Sequence, residues 1–260
     1  MNESDFLKVA KKAVLEAGKI ISKYKGKVKQ SKIKNDDRSD LVTEADIEAE
    51  KKIVQILTKN FPDHNIIGEE NTRIKKNSDY TWIIDPLNGT LAFLVGMPYV
   101  DVAIGLVKNN KPVLGIVYHI SEKNLYWAQD SKGAYLNGRK VRVRGNNTLD
   151  QAVVIMDLGH RKVRKEKFDR YVIPLMEKVG YIYSTGSSVP FGLISTGIID
   201  AYIATAWVWD LTAGSVIVRE AGGKVTDFEG NEPDWSKDRL SIVASNGLIH
   251  DQILEALKNP

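Results

Sequence analysis

The segment Trp82-Ile-Ile-Asp-Pro-Leu-Asn-Gly-Thr90 constrains the fold more than any other stretch of the chain. Trp82 to Ile84 form a short apolar run, as in a strand covered on both faces. Asp85 closes the run, and Pro86 and Gly89 turn the chain immediately afterwards. The pattern predicts a strand over Tyr80–Asp85 with a carboxylate held at its end. Such a junction offers carboxylate and carbonyl oxygens, the donors that a hard divalent cation takes. The amides of Gly89 and Thr90, at a predicted helix start, suit phosphate oxygens. The same residue types also make an ordinary surface turn, so this segment alone leaves both readings open.

Composition narrows the chemistry. Among the 260 residues there is no cysteine, which excludes disulfides, thiolate zinc sites, iron–sulfur clusters and a cysteine nucleophile. Any metal must then be held by carboxylates, carbonyls, histidines or water. The four histidines, His64, His119, His160 and His250, stand in no ligand spacing. Lys and Arg total 37 and Asp and Glu 33, so the charge of +4 nearly cancels. Nucleic acid is not an expected partner: the basic run Arg161–Lys167 is interrupted by Glu166, followed by Asp169, and lacks stacking aromatics. No apolar run approaches the roughly 18 residues of a membrane span. The N-terminus is acidic and then helical, unlike a signal peptide, so a cytoplasmic location is expected. Abundant Lys and Glu without Cys matches a thermophile's composition.

Periodicity predicts helices over Asp5–Lys25 and Thr43–Asn60, separated by a polar, Lys-rich loop or mobile hairpin over Lys23–Asp40. Strands are predicted at Asn65–Ile67, Tyr80–Asp85, Val100–Val107, Val113–His119, Leu125–Ala128 and Lys140–Arg144, with Asn137-Gly138 as a hairpin turn. Gly145–Thr148 is the expected boundary between an N-terminal α+β half (1–147) and a C-terminal α/β half (148–260). The second half alternates. Strands are predicted at Ala152–Met156, Tyr181–Tyr183, Asp200–Ala204, Lys224–Thr226 and Ser241–Ala244. Helices are predicted at Lys165–Val179, Ser187–Ser195, Leu211–Ala221 and Leu248–Leu257.

Other acids sit at similar junctions. Glu69 and Glu70 follow a buried strand in Gly68-Glu-Glu70. Thr43-x-x-Asp46 reads as a capping box with Asp in place of Glu. Asp210 follows Trp207-Val-Trp209, where it serves as a helix cap or as an acid at the end of an apolar run. Gly186-Ser187-Ser188 opens a predicted helix. Each has a structural explanation of its own.

Their order in the chain does not. Asp40-Leu-Val-Thr-Glu-Ala-Asp46, Gly68-Glu-Glu70, Trp82-Ile-Ile-Asp-Pro-Leu-x-Gly-Thr90 and Trp209-Asp-x-x-Ala-Gly214 together resemble the inositol monophosphatase family, within the superfamily that includes fructose-1,6-bisphosphatases. The resemblance extends to Gly133–Gly138, Ile199–Tyr202 and Glu220–Asp227. It implies a layered α/β/α/β/α sandwich, usually homodimeric, that cleaves phosphate monoesters of sugars or polyols with two or three Mg²⁺ ions. By resemblance, Glu69, Asp85 and the carbonyl of Leu87 hold the first metal. Asp85, position 88 and Asp210 hold the second, and Glu70 supports the site. Asp46 and Thr90 match the pair that activates the attacking water, with Glu69 counted among the catalytic residues. Gly89, Thr90, Gly186, Ser187, Ser188, Ala204 and Trp207 are the expected phosphate and substrate contacts. Attack is in line, without a phosphoenzyme.

Two departures stand out. Asn88 replaces the family's Asp and removes a negative charge from the second metal site. Ala204 replaces the Glu that, in animal members, contacts inositol hydroxyls, and this leaves Trp207 as pocket wall. Leu91 and Ala92 also replace a polar pair. The expected activity is therefore hydrolysis of inositol monophosphate, fructose 1,6-bisphosphate or both, impaired by Asn88. The alternatives are a non-catalytic homologue that binds metal and phosphorylated ligand, and a nucleotide 3′-phosphatase.

Overall fold

The computed structural model describes residues 3–27, 32–34 and 37–258. The first half is built on one sheet and the second half on another. The first contains β3 (Asn65–Gly68), β4 (Arg73–Ile74), β5 (Tyr80–Asn88), β6 (Asp101–Lys108), β7 (Lys111–His119), β8 (Asn124–Gln129), β9 (Gly133–Leu136) and β10 (Arg139–Val141). Its order is β10-β9-β8-β7-β6-β5-β3-β4. The second contains β11 (Val153–Met156), β12 (Tyr181–Ser184), β13 (Ala201–Trp207), β14 (Lys224–Thr226) and β15 (Arg239–Ser245), ordered β12-β11-β13-β15-β14. Ahead of both, β1 (Lys32–Lys34) and β2 (Asp37–Val42) pair as an antiparallel hairpin that begins in the Lys23–Asp40 segment and ends two residues beyond it; residues 28–31, 35 and 36 lie outside the described residues.

Helices fill three layers around these sheets. On the outer face of the first sheet, α1 (Glu3–Tyr24) and α2 (Glu44–Asn60) bury Ala13, Ala17, Ile53 and Leu57 against Trp82, Ile84 and Ile104. Between the sheets lie α5 (Val189–Ser195) and α6 (Val208–Glu220), with Phe191, Trp209 and Leu211 packed against Ile83, Tyr202 and Ile242. On the far side, α4 (Arg161–Lys167), the π-helical turn after it and α7 (His250–Lys258) cover Val154, Ile203 and Val243. The α/β/α/β/α layering follows from this. With both faces covered, β5 is buried from Trp82 to Asn88, which explains its unbroken apolar run.

Helix α6 belongs by sequence to the second half and by packing to both. Gly105 and Gly115 are paired across β6 and β7, and a Cβ on Gly115 would come within 2.0 Å of the Ala213 carbonyl oxygen. The helix backbone lies directly on the sheet there, and only glycine leaves room. Ala213, Val216 and Ile217 then pack on Ala103, Val117 and Ala128.

Several expected boundaries need correction; the strand expected over Lys140–Arg144, for one, is Arg139–Val141. The strand predicted to end at Asp85 runs on to Asn88 through a bulge. The helix predicted over Lys165–Val179 occupies Arg161–Lys167 and continues as a π-helical turn to Val172, because Pro174 has no N–H to extend it. The strand predicted over Asp200–Ala204 continues to Trp207, and α6 starts three residues before its predicted start.

Candidate active site

The bulge in β5 determines where its polar groups point. Asp85 pairs with Ala103 and Asn88 with Asp101, so three steps along β5 match two along β6. In a regular strand, residues three apart face opposite sides; the extra residue brings them to one side. The contacts agree: Asn88 Nδ2 donates to Asp210 Oδ1 at 3.4 Å and to Ser188 Oγ at 2.9 Å, while the charges of Asp210 and Glu69 act on Asp85. Gly89, at φ +87°, then reverses the chain into α3 (Thr90–Val95); a Cβ there would meet the Tyr99 carbonyl oxygen at 2.3 Å.

Asp210 reaches the same point from the other half. It stands in the first turn of α6 rather than at its cap, and its Oδ2 accepts the Trp207 N–H at 2.9 Å. Glu69 sits just past β3, anchored by its N–H to the Ile84 carbonyl at 3.1 Å. Its neighbour Glu70 gives its N–H to Glu50 Oε2 at 2.7 Å. Glu50, buried on α2, also accepts the N–H and hydroxyl of Thr72 and so ties down the Glu69–Thr72 turn.

Asp85 and Asp101 have no cation partner among the described residues. Asp85 is 1% exposed, and its Oδ2 has no hydrogen-bond partner, while Oδ1 accepts the Leu87 N–H at 3.2 Å. Burial pushes its carboxyl well above the usual carboxylate range, and the charges of Glu69, Asp210 and Asp101 push it further. Burial and Glu69 raise Asp210 to about 7. Asp101 sits directly across from Asn88 with its Oδ2 on the Ser188 N–H at 3.1 Å and its Oδ1 unpartnered. Among the described residues, no group of three or more acids and histidines stands in closed metal-holding geometry. An orphaned carboxylate oxygen among three further acids is nevertheless the donor chemistry that fits a hard divalent cation.

A second constellation lies beside it. Asp46 completes the capping box of α2: its Oδ2 accepts the Thr43 N–H at 2.8 Å and also the Thr43 hydroxyl. Its other oxygen accepts the Thr90 hydroxyl at 3.1 Å, and that hydroxyl also lies 3.3 Å from the Leu87 carbonyl. The cap and the predicted Asp46–Thr90 pair are thus the same structure.

The remaining predicted contacts divide. Trp207 is exposed, and its backbone N–H is on Asp210. Gly186 is exposed at the turn before α5, while Ser187 is buried with its hydroxyl accepting the Val189 N–H at 3.3 Å. Ser188 does not offer its donors to a ligand: its N–H is on Asp101 and its hydroxyl on the Asp210 carbonyl at 2.8 Å. Ala204 is fully buried in the core between the sheets. Asp101 and Glu50 were missed by sequence reasoning. Each carried a signal, an acid opening the buried strand Val100–Val107 and an acid one turn from Asp46 on the apolar face of α2.

Comparison with known proteins places this arrangement. The layered fold is shared with phosphoric monoester hydrolases. The model of the inositol monophosphatase family matches residues 2–259, and the chain belongs to that family. It is 35% identical over 260 residues to the "Fructose-1,6-bisphosphatase/inositol-1-monophosphatase" of Aquifex aeolicus, covering 99% of this chain and 97% of that protein. Among solved structures, the extragenic suppressor protein suhB of Bartonella henselae superposes with a TM-score of 0.90 at 30% identity, covering 98% of this chain and 99% of that one. A Thermotoga maritima IMPase gives 0.86 at 30% identity over 98% and 97% of the two chains.

Proposed function

We propose that this protein is a Mg²⁺-dependent phosphatase that hydrolyses inositol monophosphate, fructose 1,6-bisphosphate or both. The observation that carries this reading is the unpartnered, deeply buried oxygen of Asp85 among Glu69, Asp210 and Asp101. Glu69, Asp85, the Leu87 carbonyl and Asp210 would hold the metal. Bound Mg²⁺ would neutralise phosphate charge and ease ionisation of a nearby water.

The chain's own groups supply the rest. Asp46 fixes the Thr90 hydroxyl, and the pair orients a water and takes its proton. The amides of Gly89 and Thr90, at the start of α3, would receive phosphate oxygens. The fixed relation between these two groups favours in-line attack.

Asn88 bears on the rate. Its amide nitrogen donates toward Asp210 and Ser188, where an Asp would add a carboxylate. An amide donor lowers repulsion in the cluster and offers less to a second cation, so we propose a weakened second metal site. The same observation favours a second reading, a homologue that binds metal and phosphorylated ligand with little turnover. Phosphate release from inositol 1-phosphate and from fructose 1,6-bisphosphate, with Mg²⁺ and with chelator, separates them. Mg²⁺-dependent release abolished in Asp85→Ala supports the phosphatase; release no faster than a blank supports the binding protein.

We also propose a cytoplasmic homodimer. Met176, Tyr181 and Tyr183 are exposed on and around β12, an edge strand, and form an apolar surface suited to a second copy. Light scattering on the eluting protein checks the mass. No helix among the described residues is long and apolar enough to cross a membrane.

A further inference from the structure

The wall beside Asp210 is built from stacked cations and indoles. Trp207 and Trp209 lie parallel, with ring centroids 5.0 Å apart and planes within 10°. Each ring gives one face to the other, so the guanidinium groups take the outer faces: Arg73 lies 5.5 Å from the Trp209 ring and Arg239 lies 4.9 Å from the Trp207 ring.

The two ends differ. Arg73 is engaged: it donates to the carbonyls of Gly68 and Thr72, the turn that carries Glu69 and Glu70. Its ring partner, Trp209, is 7% exposed. Arg239 is exposed, directly across from Trp207 in the β13–β15 pairing, and has no carboxylate or carbonyl partner among the described residues. Its ring partner, Trp207, is 41% exposed, and the backbone N–H of Trp207 donates to Asp210. An unpaired guanidinium thus lies over the ring of Trp207, the residue whose backbone N–H binds an acid of the candidate metal site.

We propose that Arg239, braced on Trp207, is a specificity-determining residue that receives a second phosphate of the substrate. The inference rests on the phosphatase reading and deepens it by choosing between substrate classes. With one phosphate at the acid cluster, the far end of a sugar passes along Trp207 toward Arg239. A guanidinium fork matches phosphate geometry, and the contact with Trp207 holds the cation in place in advance. The neutral hydroxyls of an inositol ring are a poorer match. Ala204, at the position where animal members carry a hydroxyl-binding Glu, is buried and supplies no such contact. This wall therefore selects charge over hydroxyl pattern.

The test compares wild type, Arg239→Gln and Arg239→Lys on fructose 1,6-bisphosphate and inositol 1-phosphate. The ratio of KM for the bisphosphate to KM for the monophosphate should rise roughly tenfold in Arg239→Gln, the loss expected for a charged hydrogen bond, and recover in part in Arg239→Lys. An unchanged ratio in Arg239→Gln overturns the proposal, even if both KM values move. If wild type hydrolyses neither compound, the proposed activity fails. The inference is then read from indole fluorescence, titrated with fructose 1,6-bisphosphate and fructose 6-phosphate. A preference for the bisphosphate that Arg239→Gln abolishes sustains it, and equal responses to the two sugars overturn it.

Discussion

Asp85 and Asp157 occupy like positions in the two sheets. Each is a buried acid at the carboxyl end of an apolar strand core, after Trp82-Ile-Ile in one case and Val153-Val-Ile-Met in the other. Their surroundings differ completely. Asp157 has a cation supplied by the chain: Lys167, itself buried, pairs with its Oδ2 and donates to the Thr205 carbonyl at 2.9 Å. Its Oδ1 accepts the Gly159 N–H at 2.8 Å, and Tyr171 caps its carbonyl. Asp85 has three acids around it and an oxygen without a partner. A buried acid completed by its own chain is architecture. One completed by nothing in the chain marks the place for something from outside.

The contrast can be broken by substitution. Asp85→Asn should cost roughly a thousandfold or more in phosphate release while leaving the apoprotein's Tm equal or higher, because it removes a repelled buried charge. A Tm that falls by several degrees would mean that Asp85 is structural after all. Asp157→Asn should do the reverse and lower stability by about 3 kcal/mol, because it strands the Lys167 ammonium in the core. Urea unfolding checks this, and the double variant Asp157→Asn/Lys167→Met should recover most of the loss.

His250 sharpens the comparison with a buried group satisfied by neutral partners. Its two ring nitrogens meet Thr226 Oγ1 and Ser245 Oγ, both at 2.9 Å, and burial lowers its pKa to about 4. The unfolded chain takes this proton near 6.5, while the folded protein stays neutral until about 4. The stability from this site is therefore complete above pH 6.5 and is lost as pH falls toward 4. The full effect is about 3 kcal/mol, read as the difference between wild-type and His250→Asn unfolding profiles. The smallest expected effect is at Asn88. Asn88→Asp should raise turnover about tenfold at saturating Mg²⁺ and should tighten Mg²⁺ binding by calorimetry. Equal rates and equal binding would place the position outside the metal chemistry.

Much of this could be read before the structure was known. The capping box at Thr43–Asp46 is a local pattern, and so are the apolar run into Asp85 and the Asn137-Gly138 turn, with φ of +49° and +83°. Long-range pairing was not legible. Nothing near Asp85 announces that one extra residue in β5 turns Asn88 to the same side. Nothing near Asn88 announces Asp101 across the ladder. The exposure of position 204 depends on which face of β13 meets the core, and the predicted strand was three residues too short to settle its surroundings. The sequence likewise treats Asp85 and Asp157 alike, since Lys167 comes to Asp157 only through the turn of α4.

The glycine-lined seat of α6 has a consequence for how the molecule is made. The faces of β6, β7 and β8 that α6 covers, at Ala103, Val117 and Ala128, are synthesised well before the helix itself emerges. Through that interval the nascent chain carries an open apolar surface and a half-assembled acid cluster. Asp210 arrives on the helix that closes the surface, so the step that buries this face also completes the acid cluster. A chain truncated or stalled before α6 keeps that face open, a form that quality-control machinery can recognise by exposed surface alone.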